Sequence, residues 1–294
     1  MKKLVVGGVV VIAALVAWWF WHRGHAASTT ATSGRAGHAA IGASDRAKAA
    51  APASLAGRVT KKEDGAGIAG AVVAISEGGL GEEITPLHPP IVVVADATGA
   101  WVAPQVPPGG YVITATAIGF VPGQLARLWL ASGEQKTGVA IVLAAGGTPV
   151  RGTVSDIGGG PIENARIRVR NEDNFDWDAS DYVAITNHDG HYELSLPDGN
   201  HSATAQHDDY TSRTESFEVH GKPVTQDFVL TPGGQIRGIV IARDTGKPVP
   251  NALVHAGPRR GKFDGGGMPN ATADADGHFT VKSLRSGVIA VSAY

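Results

Sequence analysis

The chain has 294 residues, which is long enough for two or three domains. Its 40 glycines and 17 prolines are typical of turn-rich β architecture, and a hydrophobic fraction of 43% is enough for packed cores. Charged residues make up 18% and the formal net charge is −2, which argues against a disordered polyelectrolyte and a nucleic-acid binder. The absence of cysteine excludes a disulfide scaffold, a Cys-ligated zinc site, a thiol nucleophile and an acylated cysteine.

An apolar run opens the chain. Lys2 and Lys3 precede residues 4–21, which carry neither a charge nor a hydroxyl group. A helix rises about 1.5 Å per residue, so this run would be roughly 27 Å long and would just cross the hydrocarbon core of a bilayer. The aromatic residues at its far end suit the headgroup level, and the basic end stays cytoplasmic. Residues 1–21 are therefore predicted to be a cytoplasmic tip and a single-pass transmembrane anchor.

A cleaved signal peptide is the alternative interpretation of this run, since Gly24-His25-Ala26 has small residues where a signal peptidase would cut. Both interpretations place the bulk of the protein in the periplasm or outside the cell, either anchored to the membrane or secreted. Residues 22–53 follow as a predicted flexible linker, because they are rich in Ala, Ser, Thr and Gly and lack apolar periodicity.

The rest of the chain contains one series of landmarks three times. Each series begins with Gly-x-Val, continues with an alternating run that starts at an alanine, passes through a Gly-containing turn and ends in a further strand. The landmark glycines are Gly57, Gly152 and Gly238 in the Gly-x-Val motif, and Gly99, Gly190 and Gly277 in the turn. Units of this length, about 90 residues, with about seven short alternating strands indicate antiparallel β-sandwiches.

Local patterns support these strands. In the second copy, residues 165–170 alternate apolar and polar side chains, which predicts a strand with one buried face. Asp189-Gly190 between two such strands is typical of a hairpin, because glycine adopts positive φ at little steric cost. The aromatic residue two positions after each turn glycine is predicted to point into the core: Trp101, Tyr192 and Phe279.

The second copy resembles the carboxypeptidase regulatory-like domain, a family with a prealbumin-like, seven-stranded β-sandwich that overlaps with carbohydrate-binding-like folds. The matching residues are Gly152-x-Val154, Gly160-Pro161-Ile162-Glu163-Asn164-Ala165, the turn from Thr186 to Tyr192, and Leu196-Pro197-Asp198-Gly199. The resemblance implies an all-β protein with tandem seven-stranded antiparallel sandwiches over residues 54–147, 148–234 and 235–294.

The third unit is expected to be incomplete. Copies one and two end in strands containing Leu143 and Leu230, and an equivalent leucine would fall beyond Tyr294. An unpaired sheet edge promotes aggregation or pairing unless something covers it. We therefore expect either a fragment of a longer chain or an end that a partner strand completes.

No catalytic or metal-binding motif stands out in the sequence. The His-x-x-Glu ligand pair of metallocarboxypeptidases is absent, as are the Gly-x-Ser-x-Gly elbow and the Walker-type phosphate loop. His191 and Glu193 share one face of a predicted strand, with His188 across the turn, and we interpret all three as exposed hairpin residues. The sequence therefore predicts no catalytic residue, no metal site and no cofactor.

The three copies differ most in the segment that follows the Ala-led strand, and function tends to concentrate in such loops. Residues 77–90 are acidic and Pro-rich, residues 171–181 combine two aromatic with five acidic residues, and residues 257–270 are Gly-rich and basic. In the second loop we predict that Phe175 or Trp177 stacks on a sugar ring while Asp176 and Asp178 accept hydroxyl hydrogen bonds. Two alternatives stay open: the carboxylates bind Ca²⁺ weakly, or the aromatic residues only cover the open end of the sandwich.

The leading hypothesis is a non-enzymatic, membrane-anchored cell-envelope protein whose tandem domains serve as spacer, adhesion or binding modules. Its expected partners are the membrane, through the N-terminal helix, and a glycan or an envelope protein, with no nucleic acid. Two alternatives remain: a carbohydrate-binding protein, and the accessory region of an exported enzyme whose catalytic domain lies beyond Tyr294.

Overall fold

The computed structural model describes residues 51–78, 89–173, 181–258 and 270–294. The predicted anchor and all but the last three residues of the predicted linker lie outside these ranges. Within them, no helix has the length and apolar character needed to cross a bilayer. Residues Ala49 to Tyr294 form one compact unit. All regular elements of the described ranges are β-strands, which confirms the prediction of an all-β protein.

The first repeat folds into two sheets that share one core. Its strands are β1 (Ala53–Lys61), β2 (Val72–Glu77), β3 (Ile91–Val94), β4 (Ala100–Val106), β5 (Gly109–Ala117), β6 (Phe120–Leu130) and β7 (Gln135–Ala145). Their hydrogen-bonded order is β3-β2-β5-β6-β7-β1-β4, and β6 meets β7 only at Phe120 and Val121. The path therefore divides into β3-β2-β5-β6 and β7-β1-β4. Leu55, Ile113 and Leu143 from both halves are buried in one apolar cluster.

The second repeat has the same arrangement. Its strands are β8 (Thr148–Asp156), β9 (Arg166–Asn171), β10 (Tyr182–Ile185), β11 (His191–Leu196), β12 (Gly199–His207), β13 (Tyr210–Val219), β14 (Val224–Thr225) and β15 (Phe228–Leu230). One sheet has the order β10-β9-β12-β13 and the other has β11-β8-β14, with β15 also pairing with β8. Strands β14 and β15 run parallel to β8, as β7 runs parallel to β1, so the prediction of antiparallel pairing is wrong for these strands. Ile167, Leu194 and Phe228 are buried between the two sheets.

The described part of the third repeat contains five strands that correspond to strands of the first two repeats. They are β16 (Gly234–Ile239), β17 (Leu253–Pro258), β18 (Asn270–Thr272), β19 (His278–Leu284) and β20 (Ile289–Ala293). Sheet β18-β17-β20 corresponds to β3-β2-β5, and β16-β19 corresponds to β1-β4. No described strand corresponds to β6 or β7. The buried cluster is correspondingly small and contains Val254, Ala256, Val281 and Leu284.

The Gly-containing turn joins two sheets and is not a hairpin. Strand β10 before it pairs with β9, whereas β11 after it pairs with β8. Asn187 Oδ1 accepts hydrogen bonds from the N–H groups of Asp189 and His191 at 3.0 and 2.9 Å, and Gly190 has a φ of 74°. The hairpin interpretation of Asp189-Gly190 is therefore wrong. The hydrogen bonds to the Asn187 side chain hold the turn together, so the turn does not require the two flanking strands to pair with each other.

In each repeat the Gly-x-Val glycine lies beside the predicted core aromatic. The cross-strand pairs are Gly57 with Trp101, Gly152 with Tyr192, and Gly238 with Phe279. Trp101 and Tyr192 are buried and Phe279 packs against the third cluster, so all three point inward as predicted. A Cβ atom at Gly57 would lie 1.9 Å from the carbonyl oxygen of Val139, and one at Gly152 would lie 1.9 Å from that of Gln226. Both carbonyls belong to the segment that runs parallel to the glycine's strand, on the side away from the aromatic residue's strand. At Gly238 the nearest atoms to such a Cβ belong to the Phe279 ring, at 2.7 Å.

We expect Gly152→Ala to destabilise the second repeat far more than Gly238→Ala destabilises the third. A new methyl group at Gly152 would collide with the main-chain oxygen of Gln226, which only a backbone shift can relieve, so the free energy of unfolding should fall by about 3 kcal/mol. At Gly238 the half-buried Phe279 ring can move aside, and the loss should be about 1 kcal/mol.

Hydrogen exchange measured on the full chain reports each repeat separately and checks this difference. Equal losses of amide protection in the two variants would show that the neighbouring parallel segment does not enforce glycine at this position.

Candidate functional site at the joint of the first two repeats

The predicted ligand-binding residues Phe175, Asp176, Trp177 and Asp178 lie outside the described residues. Their binding role stays a prediction, and the structure shows instead how both ends of their loop are held. The first end is fixed by Asp173, whose carboxylate accepts hydrogen bonds from Asn200 Nδ2 at 2.7 Å and from the Asn200 N–H at 2.6 Å. These two donors, side chain first, hold the pKa of Asp173 below its usual range.

Asp181 fixes the other end of the loop. It is only 9% exposed, and its carboxylate forms ion pairs with Arg168 and, at 3.0 Å, with Arg170. The alternating sequence of β9 places both arginines on the outer face of the sheet, opposite the end of β10. A buried carboxylate is stable when it is paired in this way, so Asp181 is a firm end point for the loop.

The main chain at Asp181 also contacts the first repeat. Thr114 Oγ1 donates to the carbonyl oxygen of Asp181 at 3.1 Å, and Thr116 Oγ1 donates to that of Val183 at 2.7 Å. Strand β10 is the edge of its sheet, so these carbonyls have no partner strand. Threonines two residues apart on β5 match carbonyls two residues apart on β10, because side chains and outward carbonyls both alternate along a strand.

The same joint is closely packed. Thr114 and Thr116 lie on the outer face of the first sandwich, yet they are 1% and 3% exposed because the second repeat covers them. Ala74 and Val112 on the same face are also buried. At the other side of the joint, the N–H of Gly119 donates to Ser195 Oγ at 2.9 Å. The hydroxyl groups of Thr114 and Thr116 and the N–H of Gly119 thus find their hydrogen-bond partners across the joint.

A cleft of about 700 Å³ opens beside this joint. The first repeat lines it with Val72, Thr116 and Ile118, among others, and the second repeat contributes the outer face of β11-β8-β14. That face carries charged and polar side chains, which include Arg151, Thr153, His191, Glu193 and Asp227. Among the residues that the structure describes, no group of three or more His, Asp or Glu side chains could hold a metal ion.

Thr114, Thr116 and Asp181 are not among the site residues that the sequence predicts. One signal for the two threonines is present in the sequence. Residues 111–117 of strand β5 read Tyr-Val-Ile-Thr-Ala-Thr-Ala and carry no charge on either face, which is unusual for a strand with one wet face and indicates burial on both sides. Nothing in the sequence states that the covering element is the next repeat, since that depends on the tertiary placement of β10.

The carboxypeptidase regulatory-like domain family model matches two stretches, residues 54–144 and 149–231, which together are more than half of the chain. The chain belongs to the carboxypeptidase regulatory-like domain family. The third repeat lies outside both matches, although its described strands follow the same order. No curated protein sequence matches the chain.

Solved structures show similarity at low identity. The Bacillus anthracis TIE protein is 17% identical over 83% of this chain and 45% of its own, with a TM-score of 0.27. A streptococcal ancillary pilin is 13% identical over 82% and 89%, with a TM-score of 0.28. Chlorocatechol 1,2-dioxygenase from Pseudomonas putida is 16% identical over 29% and 60%, with a TM-score of 0.25. The chain thus spans less than half of the TIE protein, and similarities of this size carry no functional argument.

We expect the double substitution Thr114→Val and Thr116→Val to weaken the joint. Valine keeps the shape of threonine but leaves two buried carbonyl oxygens without a donor, so the free energy of unfolding should fall by about 3 kcal/mol. Urea unfolding of the full chain measures this change.

Thr204→Val is the matched control, because Thr204 occupies the position of Thr114 on β12 but shares its hydrogen bond with Thr214 of the same repeat, at 2.8 Å. The control should cost about 1 kcal/mol. If the double variant is no less stable than this control, the threonines do not hold the joint.

Proposed function

We propose that this protein is a non-enzymatic spacer of the cell envelope, in which rigidly joined sandwiches hold their loops away from a membrane anchor. The observation that carries the proposal is the joint between repeats one and two. Buried hydrogen bonds from Thr114 and Thr116 fix the edge of the second sandwich on the face of the first. Such a joint resists rotation, because a rotation would have to break these buried hydrogen bonds.

The loops supply the binding part of the proposal. Three sandwiches of similar strand order present three segments of different chemistry at one topological position. In the second repeat, Asp173 and Asp181 tie both ends of this segment to the sheet. A loop with fixed ends loses less conformational freedom when it binds a partner. We propose that residues 171–181 are the presented element, with Trp177 and its acidic neighbours in contact with a glycan or an envelope protein.

The apolar run of residues 4–21 supports the membrane part of the proposal. Eighteen successive residues without a charge suffice for one crossing, and the two preceding lysines favour a cytoplasmic amino terminus. The predicted linker would then separate the sandwiches from the bilayer surface. The function requires no bond to be made or broken, only that the loops stay at a defined distance and orientation.

Distance measurements between spin labels test the spacer function. The chain has no cysteine, so Lys62→Cys in the first repeat and Lys222→Cys in the second, both exposed, give a unique labelled pair across the joint. We expect a single distance distribution as narrow as that of a reference pair within the second repeat, Asp189→Cys with Lys222→Cys. A broad distribution across the joint, with a narrow reference, would overturn the proposal of a rigid spacer.

A further inference from the structure

The cleft beside the joint has a feature that the proposed spacer role does not use. Arg151 on β8 and Glu193 on β11 are directly opposed cross-strand neighbours on its wall. Neither side chain forms an ion pair or a hydrogen bond within the described part of the chain, and both are exposed. Arg151 and Glu193 therefore present two opposite charges side by side, and one ligand can contact both.

This charge pair distinguishes the second repeat from the other two. The corresponding cross-strand pair is Ala56 with Val102 in the first repeat and Arg237 with Thr280 in the third. Opposite charges thus occur at this position only in the repeat whose outer face borders the cleft. A second carboxylate, Asp227, is held in place nearby, since its Oδ1 accepts hydrogen bonds from Thr153 N at 2.7 Å and Thr153 Oγ1 at 3.0 Å.

The first repeat and strand β10 add aliphatic side chains to the lining of the cleft. Ile118, at the turn between β5 and β6, is 62% exposed, and Val72 and Ile185 line the cleft beside it. The aromatic lining residue, Tyr192, is 4% exposed and its hydroxyl donates to the carbonyl oxygen of Gln226 at 2.6 Å. Among the described residues that line the cleft, no aromatic face is open for a sugar ring to stack on, which favours side chains of a peptide over a glycan.

We propose that this cleft binds an extended peptide segment of a partner protein that carries an aliphatic side chain between an acidic and a basic one. The acidic side chain pairs with Arg151, the basic one with Glu193 and Asp227, and the aliphatic one packs on Ile118. A volume of about 700 Å³ accommodates such a segment of a few residues. The proposal rests on the proposed function, because two repeats form the cleft only while the joint holds them together.

Selection from a phage-displayed library of random heptapeptides on the full chain tests the inference. We expect recovered peptides to share the acidic–aliphatic–basic pattern. Arg151→Glu should lower the recovery of these peptides about tenfold and enrich peptides with basic side chains instead. Ile118→Ser should remove the preference for an aliphatic residue. Both positions are exposed, so neither variant should change the unfolding midpoint.

Arg237→Glu is the matched control, because it makes the same charge change at the same strand position of the third repeat, away from the cleft. It should leave the selected peptides unchanged. The proposal is overturned by a selection without a recurrent pattern, or by a pattern that survives Arg151→Glu. A broad Lys62–Lys222 distance distribution would remove the spacer function and the cleft together, whereas a narrow one without peptide selection overturns the peptide site alone.

Discussion

The edge of a β-sheet can be buried only if its outward carbonyl groups find donors. In this protein the edge strand β10 meets that condition with hydroxyl groups from another repeat. Thr114 and Thr116 reach the carbonyl oxygens of Asp181 and Val183, and the two-residue spacing of donors and acceptors is the same. The contact therefore specifies one register between the two sandwiches, which apolar packing alone would not do. The position of β10 against the first repeat, and with it the cleft beside the joint, depends on this contact.

The contacts that join the second and third repeats are related to those that join the first and second, but differ from them. Between the first two repeats, Ser195 of β11 accepts a hydrogen bond from the turn that follows β5. Between the second and third, Ser283 of β19 donates to the carbonyl oxygens of His207 and Asp208, where β12 ends. On its outer face, β9 carries arginines where β2 carries the uncharged residues Val72, Ala74 and Ser76, so the outer face of the second sandwich differs from that of the first. One scaffold is thus repeated while its outer face and its loops change.

Most of the single-repeat structure could be predicted from the sequence, because alternation and the Gly–aromatic pair are local consequences of a strand with one buried face. The inward position of Trp101 and Tyr192 is an example. The residues at Gly190 predict a hairpin wrongly, because an Asx-type turn has the same residues whether it joins two paired strands or two different sheets. The joint could not be predicted, since the charge-free sequence of β5 indicates burial on both faces but not which element covers the outer one.

The most direct test of this account is to weaken the first repeat and observe the second. Leu55→Ala removes a fully buried side chain from the first core and should cost about 3 kcal/mol. If the joint couples the repeats as described, hydrogen exchange on the full chain will show that β9 and β10 lose amide protection together with the strands of the first repeat. Unchanged protection of β9 and β10 beside a loosened first repeat would contradict the account, because the two sandwiches would then be stable independently of each other.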